Sequence, residues 1–147
     1  MEQGFIDILK RLIPKQGKKA PLNAAYRQGV EYYNKKDYEN AIKSFTDAIN
    51  SGCKEIFEAY TYRGFIYLET GRDTKALSDY ILATKITPNN INAYLSKGAA
   101  LGMMDMYDAA IDDAKQVLSL DPDNQIAKEI LQLARAGQAT DAFLNLR

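Results

Sequence analysis

The residues of this chain with the most chemistry in them are carboxylates: Asp112-Asp113 and the run Asp121-Pro-Asp-Asn124. Clustered aspartates invite a calcium reading. A calcium loop that starts at Asp121 needs a central glycine and a terminal glutamate, and the chain has Ile126 and Gln132 in those places. The aspartates therefore read as solvated carboxylates and a helix cap, with no metal site. Met103, Met104 and Met106 cluster as well, and they read as adaptable packing or a binding lip rather than a soft-metal site. Cys53 is the single cysteine and there is no histidine, so neither an internal disulfide nor a Cys-His pair can form. No glycine-rich phosphate loop and no Ser-His-Asp set can be assembled. The expectation is a chain that is not an enzyme and needs no cofactor. What remains is binding.

Composition narrows the class of partner. At 147 residues, 46% apolar and 26% charged, the chain has the make-up of one globular domain. Its 19 basic and 19 acidic residues cancel, which argues against a nucleic-acid binder, whose affinity rests on a cationic surface over phosphates. The charge is uneven along the chain: residues 1–21 hold five basic and two acidic side chains, and residues 99–124 hold six aspartates and only Lys115. No apolar run reaches the roughly 18 residues of a membrane span. Glu2, Asp7, Lys10 and Arg11 interrupt the apolar start, so no signal-peptide core is expected. One cysteine fits a reducing compartment, and a cytoplasmic location is expected.

Helices must position these residues, because apolar side chains recur at helical spacing and no strand alternation is present. Residues 1–14 form an amphipathic helix, with Phe5, Leu9, Leu12 and Ile13 as its stripe, Ile6 and Ile8 widening it, and Pro14 ending it. A basic linker follows over 15–21. Three similar segments come next, 22–55, 57–90 and 91–124. Gly29, Tyr32, Ala41, Phe45 and Ala48 each stand 35 residues before Gly64, Tyr67, Ala76, Tyr80 and Ala83. Tyr94, Gly98, Leu101, Ala110 and Pro122 each stand 34 residues after Tyr60, Gly64, Tyr67, Ala76 and Pro88. Each segment is two helices around a short turn, with Asp37, Asp73 and Asp105 expected to cap the second. Asp123 is expected to cap a last amphipathic helix, ending at Gly137 before a tail over 137–147, so the repeats and cap fill 22–136.

These residues resemble the tetratricopeptide repeat family, a roughly 34-residue helix-turn-helix with Gly, Tyr, Ala, an aromatic, Ala and Pro at such offsets. Cys53 stands where the family prefers proline, Ala114 replaces the third aromatic, and Asp105 replaces a turn glycine. The resemblance implies an all-α, right-handed α-solenoid of three repeats with an N-terminal amphipathic helix and a C-terminal capping helix. It also implies a concave groove, lined by the first helices, that binds peptides or helices of other proteins.

Carried over by offset from each repeat glycine, the groove holds Asn23, Tyr26, Val30, Tyr33 and Asn34 in the first repeat. The second contributes Glu58, Thr61, Phe65, Leu68 and Glu69, with Tyr62 at the edge, and the third Asn92, Leu95, Ala99, Gly102 and Met103. This surface is apolar and aromatic with a polar rim, which suits an amphipathic helix or apolar peptide. The family's best-known ligand mode is a basic clamp on the C-terminal carboxylate of heat-shock chaperones. Its five places hold Tyr26, Val30, Tyr62, Asn92 and Ser96, none of them basic, so that mode is not expected.

The chain carries its own candidate ligand. Burying Phe5, Leu9, Leu12 and Ile13 yields about 6–12 kcal/mol, of the same order as the entropy lost on ordering a dozen residues at about 1–2 kcal/mol each, less their helical hydrogen bonds. Such a segment is displaceable. The residues leave open whether residues 2–13 cap the first repeat, fill the groove in cis, or pass to a second copy. The basic flank also permits weak attachment to a membrane surface. Three functions follow: an interaction module or scaffold for a helix or apolar peptide, a small chaperone for an aggregation-prone client, and a protein that self-assembles by exchanging its N-terminal helix.

Overall fold

The computed structural model describes residues 2–15 and 23–146, and every regular element among them is an α-helix. The elements are α1 (Glu2–Leu12), α2 (Ala24–Asn34), α3 (Tyr38–Asn50), α4 (Ile56–Glu69), α5 (Asp73–Ile86), α6 (Ile91–Met103), α7 (Tyr107–Leu120) and α8 (Gln125–Asn145). The pairs α2–α3, α4–α5 and α6–α7 are the three repeats. Apart from Lys15, the basic linker lies outside the described residues. Among the described residues, no helix is long and apolar enough to cross a membrane, and no group of His, Cys, Asp or Glu could hold a metal ion. The chain divides into two compact units, one of residues 13–15 and 23–87, the other of residues 2–12 and 88–146.

In the first unit, α2 packs on α3, α3 on α4 and α4 on α5. Close approach depends on residue size. A Cβ built at Gly29 would lie 2.7 Å from Phe45 Cε1, and one at Gly64 would lie 3.1 Å from Tyr80 Cε2. The aromatic of each second helix thus lies over bare backbone in the first. Ala41, Ala48, Ala59 and Ala76 are fully buried between the helices. Helix α4 buries side chains on nearly every face, from Ala59 to Leu68, as an interior helix must.

In the second unit, α6 packs on α7, α7 on α8, and α1 against both α6 and α8. Ala114 leaves a gap where Phe45 and Tyr80 stand in the other repeats. Ile130 of α8 reaches toward it, its Cδ1 coming within 3.8 Å of a Cβ built at Gly98. Helix α8 continues through Gly137, where the sequence pattern ends it. The reason is packing: a Cβ at Gly137 would lie 2.4 Å from Tyr107 Cζ, so this glycine makes room for a ring rather than for a turn.

All three turns share one solution. The N–H groups of Asp37, Arg72 and Met106 donate to the carbonyls of Tyr32, Tyr67 and Leu101, across a left-handed residue at Lys36, Gly71 and Asp105. This is a Schellman end to the first helix. It corrects the expected aspartate caps. The Asp37 side chain accepts from Asn40, Asp73 is already the first residue of α5, and Asp105 accepts from the Tyr107 hydroxyl. Side-chain caps come instead from Asn23, Asn90 and Asn124, so Asn124 and not Asp123 caps α8.

Candidate functional site

In the first unit, the aromatic residues expected in a groove are largely core. Tyr26, Val30 and Tyr62 join Phe45, Ile66 and four small residues in one buried cluster, with Ile13 packed against it. Phe45 stacks on Tyr62 with centroids 5.0 Å apart, and the Tyr62 hydroxyl donates to the Pro14 carbonyl at 2.9 Å. Their assignment to an open groove is thereby corrected: spacing marks a helix face as apolar, and these side chains use that face to join α2, α3 and α4. Tyr33 is half-buried and meets Tyr62 and Phe65 edge-on, at 5.1 and 6.2 Å. Burial pushes its phenol up to about 12, helped by Tyr38, Tyr62 and Glu69. Phe65 and Leu68 are buried, Asn34 and Glu69 are exposed, and Glu58 is half-buried. Asn23 accepts from the Tyr26 N–H, and the Thr61 hydroxyl donates to the Phe57 carbonyl, so both side chains serve helix geometry. Burial also pushes the Cys53 thiol up, which suits a packing residue rather than a nucleophile.

In the second unit, α6 presents buried Leu95, Ala99 and Gly102 and half-buried Met103, with Asn92 exposed. Helix α1 lies on this element. Phe5, Ile8 and Leu9 are at most 1% exposed. The Phe5 ring fills the space over Gly102, where a Cβ would lie 2.3 Å from Cε1. On its other side α1 meets α8: a Cβ at Gly4 would lie 3.0 Å from Leu133 Cδ1, and Arg11 forms an ion pair with Glu129. The contact with α6 and α8 thus places α1 on the third repeat and the capping helix. Two members of the expected stripe behave differently. Leu12 is half-buried, and Ile13 lies past the helix end at Leu12, in the other unit, with Ile8 taking the buried place.

Spacing also missed two internal ion pairs. Arg63 donates from Nε and Nη2 to Asp79 at 2.8 and 2.7 Å, and from Nη1 to Thr46 at 2.9 Å, joining α3, α4 and α5. Lys97 meets Asp113 at 3.2 Å in the next repeat. Desolvation pushes the Asp79 carboxyl up by more than Arg63 pulls it back, whereas for Arg63 the hydrogen bonds of Asp79 outweigh desolvation and hold the guanidinium above its ordinary value. Burial likewise raises Asp113 against the pull of Lys97, so Asp113 is not the solvated carboxylate expected of it. The available signal was a basic residue directly before the repeat glycine and an acid 16 positions on, recurring in two repeats.

Known proteins share this arrangement. The chain is 36% identical over 118 residues to Heat shock protein STI1 of Saccharomyces cerevisiae, covering 79% of this chain and 20% of that protein. It spans about a fifth of the length of such curated relatives. Among solved structures, the first TPR of Spaghetti (RPAP3) bound to the HSP90 peptide SRMEEVD has a TM-score of 0.67 at 25% identity, covering 78% of this chain and 90% of that one. The TPR2B-domain:pHsp70-complex of yeast Sti1 has a TM-score of 0.65 at 25% identity, covering 79% and 94%. These relatives overturn the expectation that heat-shock chaperone binding is excluded. That exclusion rests on the residue types at Tyr26, Val30, Tyr62, Asn92 and Ser96, of which all but Asn92 are buried, so their types record packing inside the chain. The family model described as Tetratricopeptide repeat matches residues 22–51, 57–90 and 91–124. With glycine, aromatic and alanine at the same register in helix pair after helix pair, the chain belongs to the tetratricopeptide repeat family.

Proposed function

We propose that this chain is a protein–protein interaction module in which α6 and α8 form a seat for an amphipathic helix, held by its own α1 until a partner helix displaces it. The observation that carries this reading is the complete burial of Phe5 against a glycine of α6. A free surface helix does not place its largest apolar side chain in a slot that a single Cβ would close. Because α1 belongs to the same chain as α6 and α8, it is an intramolecular ligand, whose effective concentration is set by the connecting chain and does not fall on dilution. An incoming helix must outcompete it.

The test is a titration of labelled peptide 2–14 into the full chain and into the full chain carrying Phe5→Asp, whose own α1 cannot seat. The peptide is expected to bind the variant and to bind the unaltered chain at least about tenfold more weakly. Equal affinity for the two chains, or no binding to a folded variant, would remove the proposal.

A second reading takes its ligand from the solved relatives: an acidic peptide ending in a free carboxylate. Its support is the pair of TPR domains at 25% identity that carry heat-shock peptides. Calorimetric titration of the full chain with SRMEEVD decides it, since saturable heat supports this reading and its absence at millimolar peptide removes it.

A further inference from the structure

We infer that the seat on α6 and α8 selects helices by a code: a small residue followed directly by an aromatic one, aliphatic residues three and four positions beyond the aromatic, and a basic residue six beyond it. In this chain the pattern is Gly4, Phe5, Ile8, Leu9 and Arg11. The inference rests on the seat proposed above and adds what the seat recognises.

The aromatic place is built into α6. Gly102 stands 34 residues after Leu68, which in turn stands 35 after Tyr33, so two repeats carry a large side chain where the third carries none. The slot left over the α6 backbone admits a flat ring: Phe5 is 0% exposed, and three of its ring atoms lie within 2.7 Å of a Cβ built at Gly102. An aliphatic side chain is thicker than a ring edge-on and cannot enter as far without moving α6.

The small place is set by α8. Leu133 packs onto the backbone at Gly4, its two methyl carbons 3.0 and 3.1 Å from where a Cβ would stand. An alanine there asks only a small shift of the Leu133 end, whereas a larger side chain lifts the helix away and takes the aromatic out of its slot. Gly4 and Arg11 are seven positions apart and so lie on one face of α1, the face that meets α8. Arg11 pairs there with Glu129. Both partners are near half exposed, at 49% and 43%, so the pair adds little affinity. Its role is register and direction: with the basic residue at the C-terminal end of the ligand, a reversed helix would leave Glu129 without its counter-charge. The partner is therefore a basic-ended amphipathic helix of another protein, docked in one direction. A second copy's own α1 is distinguished by mass, since that occupant would make this chain dimerise.

The test uses the full chain with Phe5→Asp as receptor and labelled peptides of residues 2–14 as probes. Relative to the parent peptide, Phe5→Leu and Gly4→Leu are expected to weaken binding at least tenfold, and Arg11→Glu about threefold. Leucine forms helix better than either residue it replaces, so these losses cannot come from lower helicity of the peptide. Combining the Arg11→Glu peptide with a receptor that also carries Glu129→Arg should restore the parent affinity. Binding of the Phe5→Leu and Gly4→Leu peptides within twofold of the parent would overturn the code while leaving the seat standing. Failure of the parent peptide itself would remove seat and code together. If the receptor variant does not fold, amide exchange decides in its place: Gly4→Leu and Phe5→Leu in the otherwise unaltered full chain should each speed exchange over residues 5–12, and unchanged exchange would overturn the code. Dimerisation of the unaltered chain with rising concentration would replace the foreign helix by a second copy.

Discussion

A single guanidinium, that of Arg63, meets both oxygens of Asp79, and the two side chains are only 14% and 4% exposed. Between them they tie α4 to α5, and the Thr46 hydroxyl brings in α3. Removing one member of such a pair strands the other charge in the interior. Arg63→Met should cost about 3–5 kcal/mol in denaturant unfolding, and Asp79→Leu a similar amount. The double replacement should recover most of the loss, because no buried charge is then left. Additive losses in the double variant would show that the pair is not a coupled unit.

The turns carry a smaller, correctable strain. Lys36 and Asp105 adopt φ of 60° and 59°, the conformation that Gly71 adopts at 74° in the middle repeat. Left-handed backbone costs a β-carbon-bearing residue roughly 1–2 kcal/mol. Lys36→Gly should therefore raise stability by about 0.5–1 kcal/mol. Asp105→Gly should gain less, since the aspartate accepts the Tyr107 hydroxyl at 2.7 Å and that bond is lost. Chemical denaturation of both variants checks the order, and a loss of stability in Lys36→Gly would contradict the account of the turn.

High pH should unfold the first unit through its tyrosines. The Tyr33 phenol ionises at about 12 in the fold against 10.0 ordinarily, chiefly because it is desolvated. Burial moves Tyr80 in the same direction. An acid whose folded value is raised holds its proton more tightly in the native state. The stability it contributes is full below pH 10 and drains away as pH climbs toward 12. Tyr33→Phe should flatten that decline, so that its denaturant midpoint falls less between pH 9 and pH 11 than that of the unaltered chain. Parallel declines would show that Tyr33 is not the group involved.

The repeat architecture was legible because its signal is periodic: Gly29, Gly64 and Gly98 and the alanines that face them recur at one register, and helix pairs follow from that alone. Which apolar face is core and which is surface was not legible. Helix α4 is apolar on nearly every face, and the stacking of Tyr62 on Phe45 shows that its Tyr62 side, with Tyr26 of α2, is internal. The seat of α1 was hidden for a different reason. Its stripe announces that Phe5 and Leu9 will be buried, but the complementary surface consists of Gly102 and Leu133, far along the chain and without periodicity of their own. The asparagine caps escaped because Asp37, Asp73 and Asp105 sit at plausible spacings, yet Asp37 accepts from the Asn40 side chain, Asp73 is already inside α5 and Asp105 accepts from the Tyr107 hydroxyl.

The central claim, that α1 is held in place by the fit of Phe5 over Gly102, is tested most directly by hydrogen exchange on the full chain. In the unaltered protein the amides of residues 5–12 should exchange far more slowly than those of an isolated peptide of residues 2–14. With Gly102→Leu they should exchange at peptide-like rates, while α2 to α5 keep their protection. Exchange over residues 5–12 that is peptide-like in the unaltered chain, or equally slow in both chains, would contradict it.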